Sequence, residues 1–278
     1  MSILGLRRDF PGEDASLSSL EIRSVMRISI RLLCLTVAVA CASSPRAASP
    51  RADLSLQDLI NRNTEARGGR AAIEAIRSLE MRIRIEEPTY KAEGVYRVER
   101  AGRMRIDVLI GGKRIFTEGF DGKNGWQLPE GADHGRLASA TAAAALGHSG
   151  QLPTNILGLH EVATHGHRLE LKAREEVAGV RYYVVLMTLD DGFQTRYYVD
   201  PATFLIARSR VRKALHPDID PTPTTIETVW SDFREVAGVK FPIRETQTDL
   251  ATGKLLETTT LLAVLPNPTL DDSVFRMP

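Results

Sequence analysis

Six histidines and a few paired aspartates are the residues of this 278-residue chain that could carry acid–base or metal chemistry. His165-Gly166-His167 follows His160, with His134 and His148 upstream. If His167 opens a strand, His165 and His167 share one face, a placement that suits a metal ion. No cysteine or carboxylate at a recognised ligand spacing completes the set, so these histidines read as solvated or hydrogen-bonded loop residues. Asp190-Asp191 and the Asp218/Asp220 pair could work as general acid and base. They stand in LDDGF and HPDIDPTP, turn sequences in which Asp caps backbone amides. The chain contains no GxSxG, no P-loop, no GxGxxG after a strand and no HExxH. Gly111-Gly112-Lys113 reads as a hairpin turn rather than a phosphate cradle. The inventory points to binding rather than catalysis, with no enzyme activity, no cofactor and no metal expected.

Composition narrows the partners. Lys and Arg number 36 against 35 Asp and Glu, a net charge of +1, which gives no electrostatic reason to expect nucleic acid. With 43% hydrophobic and 26% charged residues, the chain is globular rather than disordered. Two cysteines, Cys34 and Cys41, cannot build a disulfide scaffold or a four-thiolate zinc site.

Residues 26–42, MRISIRLLCLTVAVACA, have a charged start, a short apolar run and small residues at the end, the layout of a secretory signal peptide. The apolar run is far short of the roughly 20 residues a membrane-spanning helix needs. The layout predicts that translation begins at Met26, with residues 1–25 an upstream extension, and that cleavage follows Ala40 or Ala42. A rival processing route would acylate Cys41 and anchor the chain as an outer-membrane lipoprotein. Removing residues 1–42 takes five arginines and four carboxylates from the totals, so the mature chain carries 31 of each sign. A Pro- and Ser-rich linker, 43–53, then leads to a single domain over 54–278.

Helical spacing governs the start of that domain. Leu56, Leu59, Ile60 and Asn63 fall on one face behind Ser55 as N-cap, Gly68-Gly69 interrupts, and Ile73, Ile76 and Leu79 make a second apolar face. After Glu80 the period becomes two. Strand signals run over 83–86, 94–99, 103–109, 114–120, 125–128, 167–176, 180–189, 194–199, 205–212, 224–236, 239–247 and 255–265, separated by pairs such as Ala101-Gly102, Asp121-Gly122 and Ala178-Gly179. The Ala-rich stretch 137–146 reads as a helix or lid. Meanders of this kind give one large antiparallel sheet that curls as it twists. The expected fold is mainly β (α+β), a strongly curved half-open barrel of about eleven strands with helices covering the concave face.

VRYYVVLMTL at 180–189 is apolar on both faces, so both faces need cover, by protein or by ligand. The sharper expectation is a concave, mostly apolar ligand cavity, lined by Phe116, Trp126, Tyr183, Val185, Met187, Tyr198, Phe204 and Trp230.

The segments EARGGRAAIEAIRSL (65–79), FDGKNGWQL (120–128), HRLELKAREEVAGVRYYVVLMTLDDG (167–192), YYVDPATFLIARSR (197–210), SDFREVAGVKFPIRE (231–245) and LDDSVFRMP (270–278) come in the order found in the outer-membrane lipoprotein-sorting, LolA-like group of periplasmic carriers, which the chain resembles. That resemblance implies a cavity for the acyl chains of a lipoprotein or phospholipid in transit across the periplasm. It implies partners in an inner-membrane release complex and an outer-membrane receptor, with a lipid-binding sensor module as the alternative role. It also implies an arginine that ties down a helical lid, for which Arg82, Arg84, Arg97 and Arg105 compete. The segment 130–166 is an insertion relative to a minimal carrier.

Overall fold

The computed structural model describes residues 54–278; the expected export signal, the linker and Cys41 lie outside them. The chain opens with helices α1 (Leu56–Arg67) and α2 (Arg70–Ala75). Ser55 caps α1, its hydroxyl accepting from the Asp58 amide at 3.1 Å and donating to the Asp58 carboxylate at 2.7 Å. Leu59, Ile60 and Asn63 are buried as the spacing predicts. The break between the helices depends on Gly68, whose φ is 135° and where a Cβ would lie 1.9 Å from the Gly238 carbonyl oxygen. Helix α2 stops earlier than the periodicity suggests. Leu79 belongs to β1 (Ser78–Glu86), where it pairs with Val98 and Pro266. Two flanking strands outweigh the local helical pattern there.

From β1 the chain makes a meander outward through β2 (Lys91–Glu99), β3 (Met104–Ile110), β4 (Lys113–Phe120), β5 (Gly125–Pro129) and the short β6 (Arg136–Leu137). Gly111 and Gly112, at φ 59° and 78°, form the β3–β4 hairpin turn. Helices α3 (Ala140–Ser149) and α4 (Leu159–Val162) follow, then a 3-10 turn at Ala163–His165. A second meander comprises β7 (Arg168–Val177), β8 (Val180–Thr188), β9 (Gln194–Val199), β10 (Ile206–Lys213) and β11 (Thr224–Ser231). The hairpin β12 (Arg234–Val236) and β13 (Val239–Phe241), then β14 (Arg244–Asp249) and β15 (Leu255–Pro266), complete the strands.

Thirteen strands form one antiparallel sheet, ordered β6-β5-β4-β3-β2-β1-β15-β14-β11-β10-β9-β8-β7, while β12 and β13 pair apart from it. The expected long strands 224–236 and 239–247 are each divided, which raises the strand number. Asp232, at φ 56°, ends the first, and Pro242, with no amide to donate, interrupts the second. The sheet is a curved, half-open barrel. Its two meanders join at its centre, where β1 pairs with β15, so β6 and β7 stand at opposite edges. Residues 138–167 therefore cross from one edge to the other, and they do so over the concave face.

Two apolar clusters hold these helices to the sheet. One joins Leu59 and Ile60 of α1 and Leu159 and Val162 of α4 to Val185, Met187, Tyr197, Val199 and Ile206. The other gathers Ile73, Ile76, Leu79, Val98, Met104, Leu146, Ile156, Leu157 and Phe241. Leu59, Leu79 and Leu159 are fully buried, each stabilising by about 1.5–3 kcal/mol relative to exposure.

Candidate ligand cavity

Between those clusters the concave face is not filled. A cavity of about 570 Å³ lies there, within the range of small-molecule and lipid sites. Its floor is the centre of the sheet: Met81 and Ile83 of β1, Tyr96 of β2, Tyr197, Ser209, Thr228 and Trp230 of β9 to β11, Glu245 and Gln247 of β14, and Thr259 and Leu261 of β15. Its roof is α3, which presents Thr141, Ala144, Ala145, His148 and Ser149, the i, i+3, i+4 spacing of one helix face. Small side chains on that face leave the space open. The opposite face of α3 packs tightly on the sheet, since a Cβ at Gly125 would lie 2.6 Å from Ala143 and one at Gly147 would lie 3.2 Å from Phe120. Phe241, Pro242 and Ile243 close one side, and the β10–β11 loop, with Ala214, Pro217, Pro221 and Pro223, closes another.

Three devices hold the roof down. The Arg67 guanidinium, 5% exposed, donates to the carbonyls of Pro153 (2.6 Å), Asn155 and Leu157 in the segment after α3. Burial pushes its pKa down to about 10, so it stays charged at neutral pH. Arg100 pairs with Glu161 and donates to the Ile73 and Ile76 carbonyls. At the end of α3, the His148 ring stacks on Phe193, centroids 4.1 Å apart, and its Nε2 lies 2.6 Å from Asp191 Oδ2. That contact spans from the roof to the β8–β9 turn on the far side of the cavity.

The four arginines that the sequence offered for this role are engaged elsewhere. Arg97 and Arg105 pair with Glu80 and Asp107 on the convex face, and Arg82 and Arg84 are exposed. Arg67 escaped notice because it lies on a helix whose apolar spacing draws attention to other positions.

Of the eight expected lining residues, Trp230 stands on the cavity wall. Val185 and Met187 face the same side of the sheet, but α1 and α4 cover them. Tyr183 stacks against Phe204 beside the cluster under α1 and α4, centroids 6.1 Å apart. Phe116 faces Val108 and Pro129 across its neighbouring strands. Trp126 and Tyr198 point to the convex face. The Trp126 indole donates to the Phe275 carbonyl at 2.8 Å under the C-terminal 3-10 turn Asp272–Phe275. Tyr198 packs edge-on against Tyr182, donates to Glu175 at 2.8 Å and lies under Arg210.

Apart from the His148–Asp191 contact, the histidines and aspartates are engaged separately. His160 faces Thr64 at 3.2 Å, His165 lies 2.9 Å from the Glu161 carbonyl, and His167 is buried. Asp190, Asp191 and Asp220 cap backbone amides, and Asp218 accepts from Gln127 at 2.7 Å. Among the described residues no group of three or more His, Cys, Asp or Glu is placed to hold a metal ion.

Sequence reasoning missed the polar residues of the floor. Their signal was available in β14, RETQTD, a strand polar on both faces that lies between β11 and β15 in the middle of the sheet. A central strand has a face turned to the interior, and polar residues on it need partners or a cavity.

By sequence, no family model matches the chain and no curated protein does. By structure, it is similar to a LolA superfamily protein from Nitrosomonas europaea, with TM-score 0.53 and 12% identity, covering 80% of this chain and 98% of that one. It is similar to the same degree to a DUF1329 family protein from Desulfovibrio piger, with TM-score 0.53 and 11% identity over 79% of this chain and 96% of that one. Shared sheet, shared length and identity this low leave the backbone as the common feature, and the chain has a LolA-like fold.

Proposed function

We propose that the chain is a periplasmic carrier that takes up acyl chains of lipids or lipoproteins in the cavity beneath α3 and conveys them toward the outer membrane. The observation that carries this reading is the cavity itself, unfilled at the centre of an otherwise well-packed sheet and walled by Met81, Ile83, Phe241, Ile243 and Leu261. Removing acyl surface from water against such walls supplies about 25 cal/mol per Å², and no chemical step is required. The LolA-like fold supports it, as does the export-signal layout of residues 26–42. Delivery requires release, and the Arg67, Arg100 and His148 contacts give the roof discrete ties that can be broken. A carrier of this kind would receive cargo from an inner-membrane complex and pass it to an outer-membrane receptor.

The test is native mass spectrometry of the mature protein purified from its own cell envelope, followed by lipid extraction. Co-purified lipid or acylated peptide is expected. A bare protein mass, together with no uptake of added lipid, overturns the reading.

A further inference from the structure

A cavity for hydrocarbon alone would have an apolar floor, and this one does not. Across five adjacent strands, the residues in register on the concave face are Tyr197, Ser209, Thr228, Gln247 and Glu257. In the next row, Trp230, Glu245 and Thr259 are in register. Tyr197 is 1% exposed, yet its hydroxyl has no hydrogen-bond partner. Gln247 Oε1 and Asn155 Oδ1, also on the wall, have none either. Buried polar groups without partners cost free energy unless something meets them. Here they surround the cavity, and two of the three are acceptors.

Glu245 adds a carboxylate to this set. Trp230 Nε1 donates to it at 2.9 Å and Gln247 Nε2 at 3.1 Å, both neutral donors. Burial pushes its pKa up, with the Lys213 charge opposing, the condition of an anion short of a counter-ion. Lys213 also lines the cavity, from the end of β10 and on the face of Ser209 and Val211. The site therefore offers acceptors and a carboxylate at its floor, with a cation at one side.

Resting on the carrier reading, we propose that the cargo is an amphiphile with a zwitterionic headgroup of the phosphoethanolamine class, held inside the cavity. Its primary ammonium meets Glu245 and Gln247 Oε1. Its phosphate meets Lys213. Its acyl chain lies along Met81, Ile83 and Leu261. A primary ammonium has three N–H donors for the orphaned acceptors, and a trimethylated one has none.

The experiment uses delipidated mature protein loaded with a fluorescent fatty acid, displaced in turn by single-chain lipids of matched acyl length bearing phosphoethanolamine, phosphocholine or phosphoglycerol. The phosphoethanolamine lipid is expected to bind at least about tenfold more tightly than either other. Glu245→Gln, which keeps the size of the side chain and an acceptor for Trp230, is expected to bring that ratio within about twofold. Tyr197→Phe, which removes only the unpartnered hydroxyl, is expected to weaken phosphoethanolamine binding more than phosphocholine binding. Equal affinities in the wild type, or a preference that survives Glu245→Gln, overturn the proposal while leaving an acyl carrier in place. No uptake of the fluorescent fatty acid overturns the carrier reading itself, and this inference with it.

Discussion

The concave face of one sheet is treated in two ways. Over β8 and β9, the residues Val185, Met187 and Val199 are covered by α1 and α4 and are less than 2% exposed. Over β11, β14 and β15, the face carries Thr228, Trp230, Glu245, Gln247 and Thr259 and stays open beneath α3. The apolar part demands cover and receives it from the chain's own helices, because each large side chain buried there removes kcal/mol of exposed apolar surface. The mixed part makes no such demand, and the space above it persists. The most apolar strand of such a sheet is thus a poor guide to where its open space lies, since the protein fills that part itself.

The convex side of β8 and β9 repeats the lesson with different means. Tyr182, Val184 and Tyr198 form a small cluster there. Its cover includes arginine side chains, Arg208 over the Tyr182 ring and Arg210 over that of Tyr198, whose aliphatic stems and planar heads shield apolar surface while the charge reaches Glu227 and Glu175.

The sharpest way to break this contrast is to place the same charge in both regions. Val185→Asp would bury an unpaired carboxylate under α1, at a cost of more than about 4 kcal/mol, and is expected to unfold the domain in circular dichroism and urea titration. Ile83→Asp, on the cavity wall, is expected to leave a cooperative unfolding transition and to abolish uptake of fatty acid. If both variants fold and only Val185→Asp loses lipid, the assignment of filled and open regions is reversed.

A smaller effect is expected from Arg67→Met. It leaves the carbonyls of Pro153, Asn155 and Leu157 without their donor, which costs about 1–3 kcal/mol. The loss should be concentrated in the roof, so amide exchange across 150–158 should accelerate more than exchange in β8 and β9, and lipid exchange should quicken. Uniform acceleration over the sheet would mean that Arg67 supports the whole fold rather than the roof.

The smallest expected effect is in pH dependence. Burial raises the pKa values of Glu118, Glu245 and Glu257. An acid whose folded pKa is raised contributes stability that is fully present below its unfolded value, about 4.3, and is lost as pH rises through the folded value. Asp107 behaves oppositely. Burial alone would raise it, but bonds from Arg105 and Thr117 and the charges of Arg105 and Arg97 outweigh that and lower it, so its contribution is lost only as pH falls below about 4. Between pH 5 and pH 8 the buried glutamates make stability fall as pH rises, opposed below about 6.5 by His160 and His167, whose pKa values burial lowers. The unfolding free energy of Glu245→Gln from urea titration should fall less over that interval than that of the wild type, by at most about 1.4 kcal/mol per pH unit. Identical slopes would mean that Glu245 is as well solvated as an exposed carboxylate.

Much of this architecture was legible before any coordinates. The alternation after Glu80, the glycine-bearing turns and the Ser55 cap all report local preferences, and local preferences are written in neighbouring residues. The Ala-rich stretch gave α3 for the same reason, with Ser139 as its cap, accepting from the Ala142 amide at 3.2 Å. The divided strands were not legible as such, because Asp232 adopts its φ of 56° only to serve the path of the chain into the β12–β13 hairpin. The cavity wall was hardest to see. Met187 and Trp230 look alike as apolar residues on alternating strands, and what separates them is whether α1 lies above, which depends on contacts across well over a hundred residues of sequence.

The sequence by itself therefore determined the element types, the antiparallel meander and the small side chains of α3, since these follow from periodicity, turn chemistry and helix propensity over short windows. Only the tertiary structure decided which part of the concave face is filled and which is left open. It also decided that Arg67 rather than a strand arginine holds the roof, and that Glu245 and Gln247 face into the cavity. Those outcomes depend on the crossing of residues 138–167 from one sheet edge to the other, a long-range arrangement that no short window of residues encodes.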